Sequence, residues 1–184
     1  MRTLEELDAM LDGIRAAPTE TGVVALIVRR PAVDEREVMD EIHLDVDEGA
    51  VGDTWRARGS GSTPDGSADP HAQITIMNSR AAEAVAGDVS RWPLAGDQIY
   101  VDFDIGVAHL PPGTRVTIGD AEIEVSEKPH TGCRKFAARF GADALKFVST
   151  PEGRKLRLRG MNARVTTSGT VRAGDPISVR SVSV

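Results

Sequence analysis

The stretch Arg115-Val-Thr-Ile-Gly-Asp-Ala-Glu-Ile-Glu-Val125 contains two short runs of alternating polar and apolar residues around a tight turn, Gly119-Asp-Ala121. Alternation with a period of two is typical of half-buried β-strands. A short connection containing Gly and Asp between two such runs is typical of a β-hairpin. The stretch therefore predicts paired strands at 115–118 and 122–125, and a fold in which β-strands are the main element.

Further short strands are predicted on both sides of this hairpin. They are aliphatic or alternating runs bounded by Gly, Pro and Asp residues, and they cover residues 22–30, 42–46, 73–77, 99–103, 161–167 and 176–179. About seven or eight strands with such turns indicate a β-barrel or a β-sandwich carrying a few helices. Regular strand–helix alternation, which would indicate a doubly wound α/β fold, is not seen. We therefore expect a mostly β protein.

Short helices are predicted between these strands. They cover residues 3–16, 79–85, 133–140 and a following segment that ends at 148. Thr3 and Glu6 form a capping-box pair, and Ser79 is the expected N-cap of the second helix. A chain of 184 residues is long enough for one compact domain. We expect an N-terminal helix within residues 1–19 and one β-barrel domain over residues 20–184.

The composition excludes several classes of protein. Apolar residues make up 40% of the chain and charged residues 27%, which is typical of a globular protein. The only cysteine, Cys133, allows no intramolecular disulfide and agrees with a reducing compartment. The acidic N-terminal segment and the shortness of every apolar run predict neither a signal peptide nor a membrane span. We therefore expect a cytoplasmic protein that does not bind membranes.

The net charge of −6 is unevenly distributed. Residues 1–127 contain 10 basic and 25 acidic residues, whereas residues 128–164 contain 10 basic and 2 acidic residues, a local balance of +8. The overall negative charge argues against nucleic acid as a partner. The basic segment, which contains Cys133, predicts a pocket for a small anionic ligand.

The segment Lys128-Pro-His-Thr-Gly-Cys-Arg-Lys135 is the strongest candidate for chemistry. Cys133 is predicted to lie at the start of a helix, close to His130, Arg134 and Lys135. A helix start and nearby cations favour the thiolate, which is the reactive and metal-binding form of cysteine. The alternative is a buried cysteine that only packs. His130 either orients or protonates a group at the site, or faces water.

Two other stretches allow a functional and a purely structural interpretation. Residues 154–159 alternate basic residues with leucine, which predicts an edge strand whose basic face either binds an anion or is simply solvated. Residues 59–70 are rich in Gly, Ser, Pro and Asp, and predict a flexible loop that is either a lid or a tolerated insertion.

Three blocks in this order resemble the signature of the MOSC domain, which is found at the C-terminus of molybdenum cofactor sulfurases and in stand-alone proteins. They are His130-Thr-Gly-Cys-Arg-Lys-Phe-Ala-Ala-Arg-Phe-Gly141, Arg159-Gly-Met-Asn-Ala-Arg164 and Gly169-Thr-Val-Arg-Ala-Gly-Asp175. Upstream, Gly52-Asp53, Gln73-Ile-Thr-Ile-Met77, Ala95-Gly-Asp97 and the segment 110–119 fit the same pattern. The resemblance covers approximately residues 20–180.

This resemblance implies a MOSC-type β-barrel, in a stand-alone member, that binds the molybdenum cofactor. In the family, the cysteine that matches Cys133 carries sulfur as a persulfide or ligates molybdenum. We expect Cys133 and His130 to be catalytic and Cys133 to be the metal ligand. The residues expected to bind the cofactor are Thr131, Gly132, Arg134, Lys135, Arg139, Asn162 and Arg164. A sulfur-donor or electron-transfer protein is the expected macromolecular partner.

Two other functions fit the same residues. One is a small molybdenum-dependent reductase of N-hydroxylated compounds. The other is a non-catalytic anion-binding or interaction module, for which an unreactive Cys133 is expected. The reaction, whether sulfur transfer or molybdenum-dependent oxidoreduction, stays open at this stage.

Overall fold

The computed structural model describes residues 1–180, over which the chain forms eleven β-strands and seven short α-helices. The strands are β1 Thr21–Arg29, β2 Glu37–Met39, β3 Glu41–Asp45, β4 Gly49–Ala50, β5 Ile74–Asn78, β6 Ile99–Asp102, β7 Arg115–Ile118, β8 Ala121–Val125, β9 Met161–Thr167, β10 Gly169–Arg172 and β11 Pro176–Val179. The α-helices are α1 Leu4–Asp8, α2 Leu11–Arg15, α3 Trp55–Arg58, α4 Ser79–Ala86, α5 Arg134–Phe140, α6 Ala142–Ser149 and α7 Pro151–Lys155. Pro70–Ala72 and Val89–Ala95 form 3-10 helices.

Seven strands close into a β-barrel. Their order is β1, β11, β7, β8, β9, β5 and β6, and β6 pairs again with β1. The pairing of β5 with β6 is parallel, and the other pairings in this ring are antiparallel. Strand β2 extends the sheet from β1, while β10, β3 and β4 form a separate small sheet. The predicted barrel with short helices and the β7–β8 hairpin are thus confirmed, although helices contain about as many residues as strands.

Two apolar clusters stabilise this architecture. Inward-facing residues such as Ile76, Ile99 and Ile123 are fully buried and fill the barrel. A second cluster lies between the barrel and the helices, and there Tyr100 packs with Phe136 and other residues. Burying a large apolar side chain contributes roughly 1.5–3 kcal/mol, so this second cluster holds α5 firmly against the barrel. Cys133, which immediately precedes α5, is positioned by this packing.

The N-terminal segment and the cap of α4 differ from the sequence prediction. Residues 3–16 form two helices separated by a turn, although the predicted capping box between Thr3 and Glu6 is present. The cap of α4 is Asn78, whose side chain accepts hydrogen bonds from two backbone N–H groups, and Ser79 is the first helical residue. A preceding Asn competes effectively with Ser for the N-cap position.

The edge strand predicted for residues 154–159 was wrong. Residues Pro151–Lys155 form α7, capped by the Thr150 side chain and started by Pro151 at the first helical turn. This Thr-Pro pair is a local helix-start signal that outweighs the alternation that follows it. Residues 169–172, for which no strand was predicted, form β10. Over residues 1–180, no helix has both the length and the apolar character needed to cross a membrane.

Candidate functional site

A cavity of about 430 Å³ lies between α5, α3 and the segment that follows β1. We call it the basic cavity, because seven of its lining side chains are cationic and the one acidic residue in its lining is Asp34. The seven cations are Arg30, Arg36, Arg58, Lys128, Lys135, Arg139 and Arg159. Cys133 also lines this cavity, and its side chain is exposed. The interpretation of Cys133 as a buried packing residue is therefore wrong.

One of the cations, Arg30, is compensated within the protein. Its Nε donates to Oδ2 of Asp53 at 2.7 Å and its Nη2 donates to Oδ1 of Asp53 at 2.8 Å. Its Nη1 donates to the backbone oxygen of Gly96. The Asp53 side chain is fully buried. This two-point ion pair connects the segment after β1 to the segment before α3. It therefore fixes the position of Arg30 in the lining of the cavity.

A second buried network lies below the loop that carries His130. Nη1 of Arg159 donates to Oδ2 of Asp97 at 2.6 Å, and the guanidinium stacks 5.0 Å from the ring centroid of Phe136. Nδ1 of His130 lies 3.3 Å from Oδ1 of Asp97, and neither atom has another partner within residues 1–180. Asp97 therefore connects Arg159 to His130.

The charges of this network affect one another. Burial favours the neutral acid at Asp97, but the attraction of Arg159 and His130 outweighs it and lowers the pKa of Asp97 to about 2. Burial, followed by repulsion from Arg159, lowers the pKa of His130 from its ordinary value of 6.5. At neutral pH the site thus contains an ionised Asp97 and a neutral imidazole on His130.

Two cations of the basic cavity are uncompensated. Arg36 and Arg58 form no salt bridge within the described part of the chain, and Nε of Arg36 is buried without a hydrogen-bond partner. Burial, followed by repulsion from Arg30, lowers the pKa of both guanidinium groups. An anion bound in the cavity next to either guanidinium group would therefore be stabilised by its charge.

Lys135 and Arg139 lie on the other side of the cavity and share one partner. Nζ of Lys135 and Nη2 of Arg139 each lie 3.0 Å from Oδ1 of Asp34. The Lys135 and Asp34 side chains are more than half exposed, so this pairing is weakly held. A bound anion could replace Asp34 as the partner of both cations.

The remaining predicted binding residues are not all in the basic cavity. Thr131 and Asn162 line it, and the Asn162 amide also donates to the backbone oxygen of Lys128. Gly132 lines only the second cavity described below. Arg134 and Arg164 line neither cavity, since Arg134 is exposed and Arg164 pairs with Glu124 on the outer face of β9. The structure therefore does not bring Arg134 and Arg164 to the site.

Sequence reasoning missed Arg30, Arg36 and Arg58 as lining residues. Arg30 follows a buried strand and precedes Pro31, which is a weak local signal for a residue at the end of the barrel. Arg36 and Arg58 carry no local signal, because each is a single arginine in an irregular or very short element. Only the folding of these segments over α5 brings their charges close to Cys133.

A second cavity of about 440 Å³ lies on the opposite side of the segment 128–132. His130, Thr131 and Asn162 line both cavities, so this segment forms the wall between them. The other side of the second cavity is formed largely by α6, α7 and the start of β9.

Comparison with known proteins defines the class to which this fold and site belong. The family model of the MOSC domain matches residues 63–178, which is more than half of the chain. The chain therefore belongs to the MOSC domain family. No curated protein matches the sequence.

Solved structures share the fold at low sequence identity. The YuaD protein from Bacillus subtilis has a TM-score of 0.65 and 16% identity, with 89% of this chain and 97% of that chain covered. YiiM from Escherichia coli has a TM-score of 0.56 and 16% identity, with 88% and 71% covered. YiiM from Geobacillus stearothermophilus has a TM-score of 0.53 and 18% identity, with 87% and 75% covered. These similarities support the fold.

Proposed function

We propose that this MOSC protein binds the molybdenum cofactor in the basic cavity, with Cys133 as the sulfur carrier or the molybdenum ligand. The observation that supports the proposal is the position of the exposed Cys133 in the lining of a cavity with seven cations. The cofactor is an anionic pterin with a phosphate tail and a dithiolene. When bound, it supplies redox-active molybdenum.

The donor groups of the cavity fit an anionic ligand. Arg36 and Arg58 have no carboxylate partner within residues 1–180, and Nε of Arg36 and Nε of Arg159 are buried without partners. A guanidinium donor that is removed from water without a partner is destabilising, and a phosphate oxygen would remove that cost. We assign Arg36 and Arg58, together with Lys135 and Arg139, to holding the anion. A volume of about 430 Å³ is within the usual range for small-molecule sites.

Cys133 and His130 have separate roles in this proposal. A thiolate is a soft ligand and a good sulfur acceptor, which suits either a molybdenum centre or a persulfide. His130 is neutral at pH 7 and its Nδ1 faces Asp97, so the other ring nitrogen, Nε2, can accept a proton and later return it. Asn162 acts indirectly, because its amide holds the backbone of Lys128 in place. No cluster of three His, Cys, Asp or Glu residues occurs within residues 1–180, so Cys133 would be a single protein ligand.

The proposal is tested on protein purified from a host that makes the cofactor. Molybdenum content and the mass of the intact protein are measured for the original chain and for Cys133→Ser. We expect the original chain to retain molybdenum, or to gain the mass of one sulfur atom, and Cys133→Ser to lose that property. Loss of retained molybdenum indicates a ligand, and loss of the added sulfur indicates a carrier.

Two arginines of α3 provide a matched pair for the charge of the cavity. Arg58 lines the cavity, whereas Arg56 lies on the same helix, 3.8 Å from Glu48. We expect Arg58→Ala to reduce cofactor retention roughly tenfold, the usual effect of one lost charge-assisted contact, and Arg56→Ala to leave it unchanged. The proposal is wrong if the original chain carries neither molybdenum nor added sulfur.

A further inference from the structure

The second cavity has an apolar side and a cationic side. Val107, Val148 and Met161 contribute apolar surface, and Arg154 and Arg157 contribute positive charge. Its volume of about 440 Å³ is large enough for a small organic molecule. This combination is typical of a pocket in which an apolar wall binds the body of a ligand and a few polar groups fix its orientation.

Arg157 is held in this pocket by an unusual backbone, by two hydrogen bonds to backbone oxygens and by a 3.8 Å contact between its Nη1 and Sδ of Met161. Its φ of 49° lies in the left-handed region, which is unfavourable for a residue with a side chain. Its Nη1 donates to the backbone oxygens of Ile105 and Leu110 at 3.1 and 2.8 Å. Backbone strain of this kind persists where the surrounding structure fixes it, and it is common at ligand-binding positions.

The guanidinium of Arg157 still has unused donors. Its Nε and Nη2 have no hydrogen-bond partner within residues 1–180, and neither is a fully buried atom. These two nitrogens form one edge of the guanidinium, which matches the two oxygens of a carboxylate.

The charge around Arg157 is also incompletely balanced. Neither Arg154 nor Arg157 forms a salt bridge in the part of the chain that the structure describes. Burial lowers the pKa of Arg157, and the attraction of Asp104 only partly offsets it. Glu127, at an exposed position, is the one acidic residue in the lining of the second cavity. An anion next to Arg157 would therefore stabilise the charged guanidinium group.

We propose that the second cavity binds a small carboxylic acid with an apolar body. The carboxylate pairs with the free edge of Arg157, and the apolar body packs against Val148 and Met161. A free phosphate ion is hydrated on all sides and gains nothing from that apolar wall. The proposal goes beyond cofactor binding and does not depend on it, because it uses only residues on the far side of the segment 128–132 from Cys133.

Benzoate is the probe that tests this site, and isothermal titration calorimetry on the full chain is the measurement. Benzamide, which is similar in shape but uncharged, is the ligand control. We expect benzoate to bind at least roughly tenfold more tightly than benzamide, because only benzoate forms a charge-assisted pair with Arg157. Equal binding of the two, or equally strong displacement of benzoate by inorganic phosphate, would overturn the proposal.

Two variants locate the probe. Arg157→Gln removes the charge, and Val107→Trp adds bulk to the lining of the cavity at a position that is 41% exposed. We expect each to weaken benzoate binding at least tenfold. Val89→Trp is the control, because Val89 is 51% exposed and lies outside both cavities.

Val107→Trp decides the question even where Arg157→Gln does not fold, since Val107 is not a core residue. Unchanged benzoate affinity in Val107→Trp contradicts the proposal. So does loss of affinity in Arg58→Ala, because that result would place benzoate in the basic cavity.

Discussion

Arg159 and Asp97 form a buried ion pair in which Nη1 of the arginine lies 2.6 Å from Oδ2 of the carboxylate. The Asp97 side chain is fully buried, and that of Arg159 is 8% exposed. Arg159 lines both cavities, and the other oxygen of Asp97 faces His130. The pair therefore supports the wall between the two cavities, and its integrity determines the position of His130.

Removing the charge of Asp97 is expected to destabilise the protein strongly. Asp97→Asn leaves the guanidinium of Arg159 buried without a counter-charge, which typically costs about 3–5 kcal/mol. Urea denaturation would measure the loss. Asp12→Asn is the control, because Asp12 pairs with Arg15 on the exposed side of α2 and its side chain is 96% exposed, so the unfolding midpoint should hardly change. Equal midpoints for the two variants would contradict this assignment.

The stability of the protein is expected to fall in two steps as the pH is lowered. The pKa of His130 is lowered from 6.5, so the unfolded chain takes up this proton first and stability is lost as the pH falls below about 6.5. The pKa of Asp97 is lowered from 3.8 to about 2, so its contribution is complete above pH 3.8 and is lost as the pH falls through about 2. The free energy of unfolding, measured against pH, shows both steps.

Substitution of His130 separates the two steps. His130→Gln should remove the step that begins near pH 6.5 and keep the acidic one. His71→Asn is the control, because His71 is at an exposed position away from this network. If the upper step survives in His130→Gln, another group is its source.

A side chain at Gly160 is expected to disrupt the same network. A Cβ there would lie 2.6 Å from the backbone oxygen of Ile76, 3.1 Å from Oδ1 of Asp97 and 3.2 Å from Nδ1 of His130. Gly160→Ala should therefore cost about 1–3 kcal/mol from crowding, in addition to the cost of a φ of 106°. Thermal unfolding is the measurement.

Gly174 is a control that separates the cost of a positive φ from the cost of crowding. Its φ is 91°, and a Cβ there would meet nothing within 4 Å. Gly174→Ala should cost only the conformational term, on the order of 1 kcal/mol. If both alanine variants lose the same stability, the crowding at Gly160 has no energetic effect.

The loop 59–70 is expected to depend on an ion pair with the segment that separates the cavities. Nζ of Lys128 lies 2.5 Å from Oδ2 of Asp69 and 2.8 Å from Oγ of Ser62. This contact lowers the pKa of Asp69. Asp69→Asn keeps the side-chain oxygen that accepts from the backbone of His71 but removes the charge. Amide hydrogen exchange in residues 59–69 should become several-fold faster.

A second carboxylate of the same loop is the control for this experiment. Asp65 accepts a hydrogen bond from the backbone N–H of Ser67 and makes no contact with Lys128. Asp65→Asn should leave exchange in the rest of the loop unchanged. If exchange in Asp69→Asn is as slow as in the original chain, the ion pair does not restrain the loop.

Much of the fold could be predicted because its signals are local. Period-two alternation predicted the β7–β8 hairpin, and the Thr3–Glu6 pair marked the first helix correctly. Residues 154–159 were misassigned because alternation alone does not distinguish an edge strand from a helix that ends in a turn. Thr150 and Pro151, just outside that run, carried the deciding signal. Strand β10 was missed because its pairing partner, β3, lies far away in the sequence.

The candidate site was predictable only in part, for the same reason. Cys133, His130, Lys135 and Arg139 lie within one segment, so their proximity follows from the sequence. Arg164 belongs to the same basic segment, but the pairing of β9 with β8 places its side chain on the outer face of the barrel. There it forms a salt bridge with Glu124. Net charge along a segment therefore does not show which side chains share a cavity.

The sequence by itself determined the seven strands of the barrel, the helix near the only thiol, the basic character of residues 128–164 and the resemblance to the MOSC domain. These depend on residue type and short spacing. The tertiary structure decided which charges are compensated. Arg30 and Arg159 have buried carboxylate partners, Asp53 and Asp97, whereas Arg36 and Arg58 have none within residues 1–180. Whether a charge has a partner depends on its distance from opposite charges in other segments and on how deeply both are buried. These segments are far apart in the chain, so only folding sets those distances.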